Sequence, residues 1–264
     1  MQYSFLDIFQ NLIRKTGSLL FGRRPRNHTI PFGPIKGLKI YSSFNISPRM
    51  WLGIDEPWIA KLAQRYIKPE DVVYDIGAHI GYTCLVFAKC LGNTGVVHGF
   101  EILPFVASLL KKTVEINNFD NIVIHPTGLS NQEQNLELQI GETMMTSLYS
   151  VYRPQPGKTE FCHTVQLDKY VQQENLPYPT LMKIDIEGAE FDCLLGGNEL
   201  IKASLPLMII EFHTKDLLQK GYSLLSPLGY RFLIETDQEI TPQFLKRLAY
   251  FHASVFCIPV GKRP

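Results

Sequence analysis

From Val72 onward the chain alternates short apolar runs with stretches whose apolar positions recur at helical spacing. The runs Val72–Ile76, Val96–Glu101, Asn121–His125, Leu181–Asp185 and Leu207–Phe212 read as buried strands, with β-branched residues frequent and turn residues at their ends. Between them, Tyr82–Leu91, Pro104–Asn117, Leu167–Asn175, Ala189–Leu195 and Lys215–Leu225 read as helices. Two closing strands, Tyr230–Ile234 and Ala253–Pro259, lie near enough in sequence to pair antiparallel. Repeated β-α alternation of this kind predicts an α/β three-layer sandwich around a mostly parallel sheet.

Two segments break the alternation. Residues 136–166 carry short alternating pieces interrupted by Pro154, Pro156 and Gly157, which predicts an insertion of strands and loop over the sheet edge, in the position of a substrate lid. Upstream, Asn27–Tyr41 is punctuated by Pro31, Gly33, Pro34 and Gly37 and reads as turns or a small hairpin, and Pro57 after Asp55 opens a further helix. In Met1–Phe21, Phe5, Ile8, Phe9, Leu12, Ile13, Leu19 and Leu20 share a helical face and precede Arg23, Arg24 and Arg26. Two readings stand: a helix docked on the domain or on a second copy of the chain, or one lying on an anionic membrane surface. The expected division is an N-terminal extension of helix and cap over residues 1–49 and a catalytic domain over residues 50–264.

Composition narrows the partners. Lys and Arg number 26 against 25 Asp and Glu, so the surplus of positive charge that nucleic acid binding favours is absent. Cys84, Cys90, Cys162, Cys193 and Cys257 show no zinc spacing and read as reduced core residues of a cytoplasmic protein. No apolar run reaches spanning length, and the N-terminus lacks the pattern of a secretory signal.

The chemistry gathers at the strand ends. Val72-Val73-Tyr74-Asp75-Ile76-Gly77-Ala78-His79-Ile80-Gly81-Tyr82-Thr83 reads as a strand, a tight turn and a helix start, the junction where open α/β sheets bind small molecules. Glu101 ends the next strand about 20 residues beyond Gly81, where a carboxylate accepts both hydroxyls of a ribose. A dinucleotide site wants a bare glycine where His79 stands, because the pyrophosphate approaches the backbone there. The turn therefore favours S-adenosylmethionine over NAD. Asp185, Glu187, Glu211 and His213 cluster at neighbouring strand ends, and acids are rarely buried without partners.

Taken together, Asp75-Ile76-Gly77-Ala78-His79-Ile80-Gly81-Tyr82-Thr83, Phe100-Glu101, Leu167-Asp168, Lys183-Ile184-Asp185-Ile186-Glu187-Gly188-Ala189-Glu190 and Pro206-Leu207-Met208-Ile209-Ile210-Glu211 resemble the FkbM family of S-adenosylmethionine-dependent methyltransferases. The resemblance runs over about residues 50–260, and the Lys183–Glu190 block is its most specific part; His79 stands where the family commonly has Asn. It implies the Rossmann-like class I methyltransferase fold, with a seven-stranded, mostly parallel sheet and an antiparallel last strand. By the same resemblance Asp75, Gly77, His79, Gly81 and Thr83 contact the methionine part of the cofactor, with Tyr82 and Asp185 in the same cofactor set. Glu101 then holds the ribose, Ile102 and the Leu129-Ser130 loop the adenine, and Glu56 closes over the cofactor.

The expected activity is O-methylation of a hydroxyl on a carbohydrate, glycolipid or secondary metabolite. His213, or Glu187 beside Asp185, would take the hydroxyl proton; the alternative is that Asp185, Glu211 and His213 bind a divalent cation that lowers the hydroxyl pKa. Competing readings are a NAD-dependent oxidoreductase and a non-catalytic binding protein docked on a membrane through residues 1–26. Each acid and histidine also has a plain structural role open to it: Glu187 and His79 as helix caps, His213 as a satisfied buried residue, Lys183 as the partner of an acid.

Overall fold

A hairpin, β1 (Arg26–Thr29) with β2 (Lys39–Ser42), leads into α1 (Pro48–Leu52) and α2 (Pro57–Tyr66). The protein is described from a computed structural model covering residues 24–44, 46–139 and 159–261. The expected helix over Met1–Phe21 and most of the expected lid fall outside these residues. The alternating part runs β3 (Val72–Ile76), α3 (Tyr82–Leu91), β4 (Val96–Phe100), α4 (Pro104–Glu115) and β5 (Ile122–His125). Three strands interrupt it: β6 (Gly128–Ser130), β7 (Gln134–Gln139) and β8 (Thr159–Gln166). It resumes with α5 (Leu167–Gln173), β9 (Leu181–Ile184), α6 (Glu190–Gly196), α7 (Asn198–Ser204), β10 (Leu207–Phe212), α8 (Lys215–Leu225), β11 (Tyr230–Leu233), α9 (Pro242–Arg247) and β12 (Ala253–Pro259).

The seven-stranded sheet has the order β5-β4-β3-β9-β10-β12-β11, with every neighbouring pair parallel except the two made by β12. This is the class I methyltransferase sheet. The pleat sends successive side chains to opposite faces, and both faces are covered. On one face Val73, Leu181, Ile209 and Phe256 pack against α2, α3 and α4 through Ile59, Leu85 and Leu110. On the other, Tyr74, Met182, Ile210 and Val255 pack against α5, α6 and α8 through Val171, Leu194 and Leu218. The two cores explain why these strands read as continuous apolar runs rather than alternating ones.

Two features depart from the pattern read in the sequence, and a helix covers the expected division point. The loop after His125 contains β6, which joins β8 in parallel, while β7 joins β8 antiparallel, giving a small second sheet. The segment before β10 carries the extra helix α7; the Asp168 carboxylate of the Leu167-Asp168 pair accepts the backbone N–H groups of Glu199 (3.1 Å) and Leu200 (2.9 Å) in its first turn. Residue 49 lies inside α1, so the expected division point falls within a helix. The hairpin is tied to the main domain, since Asn117 Oδ1 accepts Lys39 N–H at 2.8 Å and Thr113 Oγ1 accepts Tyr41 N–H at 3.1 Å.

Candidate active site

The turn after β3 is shaped by its glycine. Phe100 O accepts the N–H groups of both Gly77 (3.0 Å) and Ala78 (2.9 Å), which folds the chain back over the end of β4. Gly77 has φ +84°, and a Cβ there would lie 1.8 Å from the backbone oxygen of Asp185 at the end of β9. Only glycine lets the two strand ends meet so closely. His79 follows with φ +49° and donates its backbone N–H to Glu101 Oε2 at 2.9 Å, while Leu103 N–H reaches Glu101 Oε1 at 2.9 Å.

At the C-terminal ends of β3, β4, β9 and β10 lies a cavity of about 330 Å³, walled also by the α1–α2 region and by the small sheet through Leu129, Leu138 and Thr164. Its two halves differ in chemistry. Around Glu101 the wall is apolar, made by Phe100, Ile102, Leu103, Leu129 and Leu138; around the ends of β9 and β10 it is formed by Lys183, Asp185, Glu187, Glu211, His213 and His252. Glu56, His79 and Glu187, all non-glycine residues with positive φ (40°, 49° and 53°), line it too. Backbone held in this sparsely populated region collects at working sites, where the surrounding packing enforces it.

In the polar half each charge has a physical cause. Lys183 is buried beside Asp185, with Nζ 3.2 Å from Oδ2. Burial opposes its charge, yet Asp185, Glu56, Asp75 and Glu211 outweigh that and hold its pKa well above the usual lysine value. Burial likewise opposes ionisation of Asp185, but Lys183 and His213 win and lower its pKa. Glu56 is pushed up to about 8 by burial and by Asp185, Asp55 and Glu211, with Lys183 acting the other way. Glu101 is raised to about 7 by burial, against the two backbone N–H groups it accepts.

His213 sits between carboxylates: Nδ1 is 2.9 Å from Glu190 Oε1 and Nε2 is 3.2 Å from Glu187 Oε2. Burial lowers its pKa, but those two hydrogen bonds raise it to about 11. Both ring nitrogens of His213 thus face a carboxylate in this arrangement.

All four expected catalytic residues, Asp185, Glu187, Glu211 and His213, face this cavity. So do Glu56, Gly77, His79, Thr83, Glu101, Ile102 and Leu129 of the cofactor set. Four residues of that set lie behind the wall. Asp75 is fully buried, with Oδ2 accepting from Thr83 Oγ1 (2.6 Å) and Cys84 Sγ (3.1 Å), so it braces the turn from below. Gly81 and Tyr82 start α3 with Gly81 against Leu110 of α4, and the backbone of Ser130 packs against Gly196 of α6. Glu56 falls beside Asp185 and Glu211, in the polar half.

Two contributors were absent from the sequence-based set. Glu190 is fully buried and orients His213 while accepting Gly188 N–H at 2.9 Å. His252, just before β12, puts Nε2 2.9 Å from Glu211 Oε1. The signal for His252 was the antiparallel pairing itself: a strand running against its neighbours begins at the edge where they end.

The Methyltransferase FkbM domain matches residues 75–250, about two thirds of the chain. The chain belongs to the FkbM methyltransferase family. The FkbM assignment sets the oxidoreductase reading aside. "Methyltransferase 1" of Beauveria bassiana is 26% identical over 195 residues, covering 66% of this chain and 78% of that protein. The methyltransferase FkbM of Methylobacillus flagellatus superposes with a TM-score of 0.50 at 17% identity, over 72% of this chain and 44% of that one. This chain therefore spans less than half the length of that FkbM protein. Fibrillarin of Aeropyrum pernix, solved with natively bound S-adenosyl-L-methionine, gives a TM-score of 0.47 at 12% identity, over 76% of each chain.

Methyltransferases of this family take their methyl group from S-adenosylmethionine, and the apolar half of the cavity suits that cofactor. Glu101 offers a carboxylate whose oxygens each hold one backbone N–H and have lone pairs left for ribose hydroxyls, between apolar walls fit for a base.

Proposed function

We propose that the protein methylates a hydroxyl group of a carbohydrate, glycolipid or related secondary metabolite, with S-adenosylmethionine as donor. The observation that supports this is the continuity of one cavity from Glu101 to the cluster of Asp185, Glu187, Glu211, His213 and His252. A nucleoside-binding end and a proton-handling end in one space are what O-methylation requires. The cofactor supplies an activated methyl on a sulfonium, so the protein's task is alignment and proton removal. Glu101 anchors the ribose, and the Gly77–His79 turn supports the methionine part. Asp185 and Glu211 orient the acceptor by hydrogen bonds, and Glu187, held by His213, takes the hydroxyl proton.

An acid-rich pocket end with few apolar side chains suits an acceptor with several hydroxyls, which is why a sugar-like group heads the list. We place the reaction in the cytoplasm; no helix among the described residues is long and apolar enough to cross a membrane. We further propose that residues 1–49 are an N-terminal extension to a catalytic domain of residues 50–264, its described part capping the cavity through Ile46 and Ser47.

The test is release of S-adenosylhomocysteine with a panel of sugars and glycolipids, alongside calorimetry with S-adenosylmethionine. Glu187→Gln should keep cofactor affinity and lose turnover. Unchanged turnover removes Glu187 as the base, and absence of cofactor binding by the wild type removes the function itself.

A further inference from the structure

We propose that Glu211, His213 and His252 form a site for a first-row divalent transition cation at the acceptor end of the cavity. Their donor atoms lie within 4.8 Å of one another. The fold makes this triad directly. In the antiparallel β10–β12 pair, Glu211 is in register with Ser254 and Phe212 with Ala253, so the next pair outward is His213 with His252. Their rings stand 4.8 Å apart, centre to centre, and Glu211 reaches across to His252.

A second, separate observation concerns the ring of His213. Its Nδ1 is bonded to Glu190, which lies outside the cavity wall, fully buried and anchored by Gly188 N–H. That carboxylate fixes the ring so that Nε2 faces the cavity, with Glu187 Oε2 at 3.2 Å and Asp185 Oδ1 at 3.9 Å. A buried carboxylate behind one ring nitrogen, with the other turned toward the acids of the cavity, is the support that metal-binding histidines use. Spacing agrees as well. Ligands about 2.1 Å from a cation and at right angles to each other are about 3 Å apart, and Glu211 Oε1 and His252 Nε2 are 2.9 Å apart.

Two imidazoles with a carboxylate favour manganese, iron, cobalt or zinc over magnesium or calcium. Asp185 stands by as a fourth ligand, and Glu187, released by His213, is left to accept a proton. The role in catalysis rests on the O-methylation reading: a cation here polarises the acceptor hydroxyl, its proton passes to Glu187, and the oxygen bonds to the methyl carbon as the carbon–sulfur bond breaks with its electron pair on sulfur.

The experiment is titration of chelator-stripped protein with Mn²⁺, read by electron paramagnetic resonance of the free ion, with Mg²⁺ as competitor. The wild type should show one saturable site that Mg²⁺ displaces poorly. His252→Ala, a change at the cavity mouth, should weaken Mn²⁺ at least tenfold. Glu190→Gln should weaken it about 10- to 100-fold, the range for residues that support a ligand. S-adenosylhomocysteine affinity, measured on the same samples, should be unchanged in His252→Ala. No saturable site in the wild type, or equal affinity in His252→Ala, overturns the proposal and leaves an ion-pair network. Mn²⁺ binding without any binding of S-adenosylhomocysteine would instead overturn the methyltransferase role and keep the site.

Discussion

Glu101 Oε2 accepts the backbone N–H of His79 at 2.9 Å, so the acid ending β4 is fastened to the turn ending β3. This hydrogen bond thus joins the acid proposed to hold the ribose to the turn proposed to support the methionine part, and the positive φ of His79 (49°) aims that N–H at it.

Replacing Glu101 should therefore act on the cofactor before anything else. Charge-assisted hydrogen bonds contribute about 1.5–3 kcal/mol, so Glu101→Ala should weaken S-adenosylmethionine binding roughly 10- to 150-fold, as measured by calorimetry. Equal affinity would remove Glu101 from the cofactor site.

The same residue sets a pH dependence. With its pKa raised to about 7 by burial, Glu101 is partly protonated in the free protein near neutrality. Ribose hydroxyls donate to the ionised form, so affinity should be highest above pH 7 and fall as pH drops. Between pH 8 and pH 6 the loss should be about tenfold, and Glu101→Gln should flatten the profile.

Lys183 tests the polar half. Its ammonium offsets Asp185 and three further acids from a buried position. Lys183→Met leaves these carboxylates uncompensated, at a cost of about 3–5 kcal/mol, visible in urea denaturation. Lys183→Met combined with Asp185→Asn should cost less than the two changes added together.

Gly77 and Gly92 share a positive φ but differ in surroundings. At Gly92 nothing lies within 4 Å of an added Cβ, whereas at Gly77 it would meet the Asp185 backbone at 1.8 Å. Gly92→Ala should cost only the backbone strain, about 1–3 kcal/mol. Gly77→Ala should cost clearly more in thermal denaturation and abolish cofactor binding.

Asp168 separates architecture from chemistry. It caps α7 by accepting two backbone N–H groups and does not line the cavity. Asp168→Ala should lower stability by about 1 kcal/mol and leave cofactor affinity unchanged.

Much of the fold was legible because it is carried by local rules. A parallel sheet buried on both faces makes continuous apolar strands, and helix ends announce themselves through Pro57 and Gly92. The short β6 and the helix α7 were not legible. β6 is held by pairing with β8, whose own partner β7 lies between them in sequence, and α7 depends on a cap supplied from Asp168 in another element.

Sequence by itself determined which residue types reach the sheet edge: Asp185, Glu187 and His213 follow strands, Glu211 lies near the end of one, and strands running parallel must end together. Only the tertiary structure decided which way each one turns. Asp75, in β3 just before the glycine turn, is held under it by Thr83 and Cys84, while Glu56, far upstream, is carried beside Glu211 by the α1–α2 turn. His252 meets Glu211 because β12 runs against the sheet. Spacing along the chain reports direction and order, but contact between distant segments depends on how strands pair and which core each face buries.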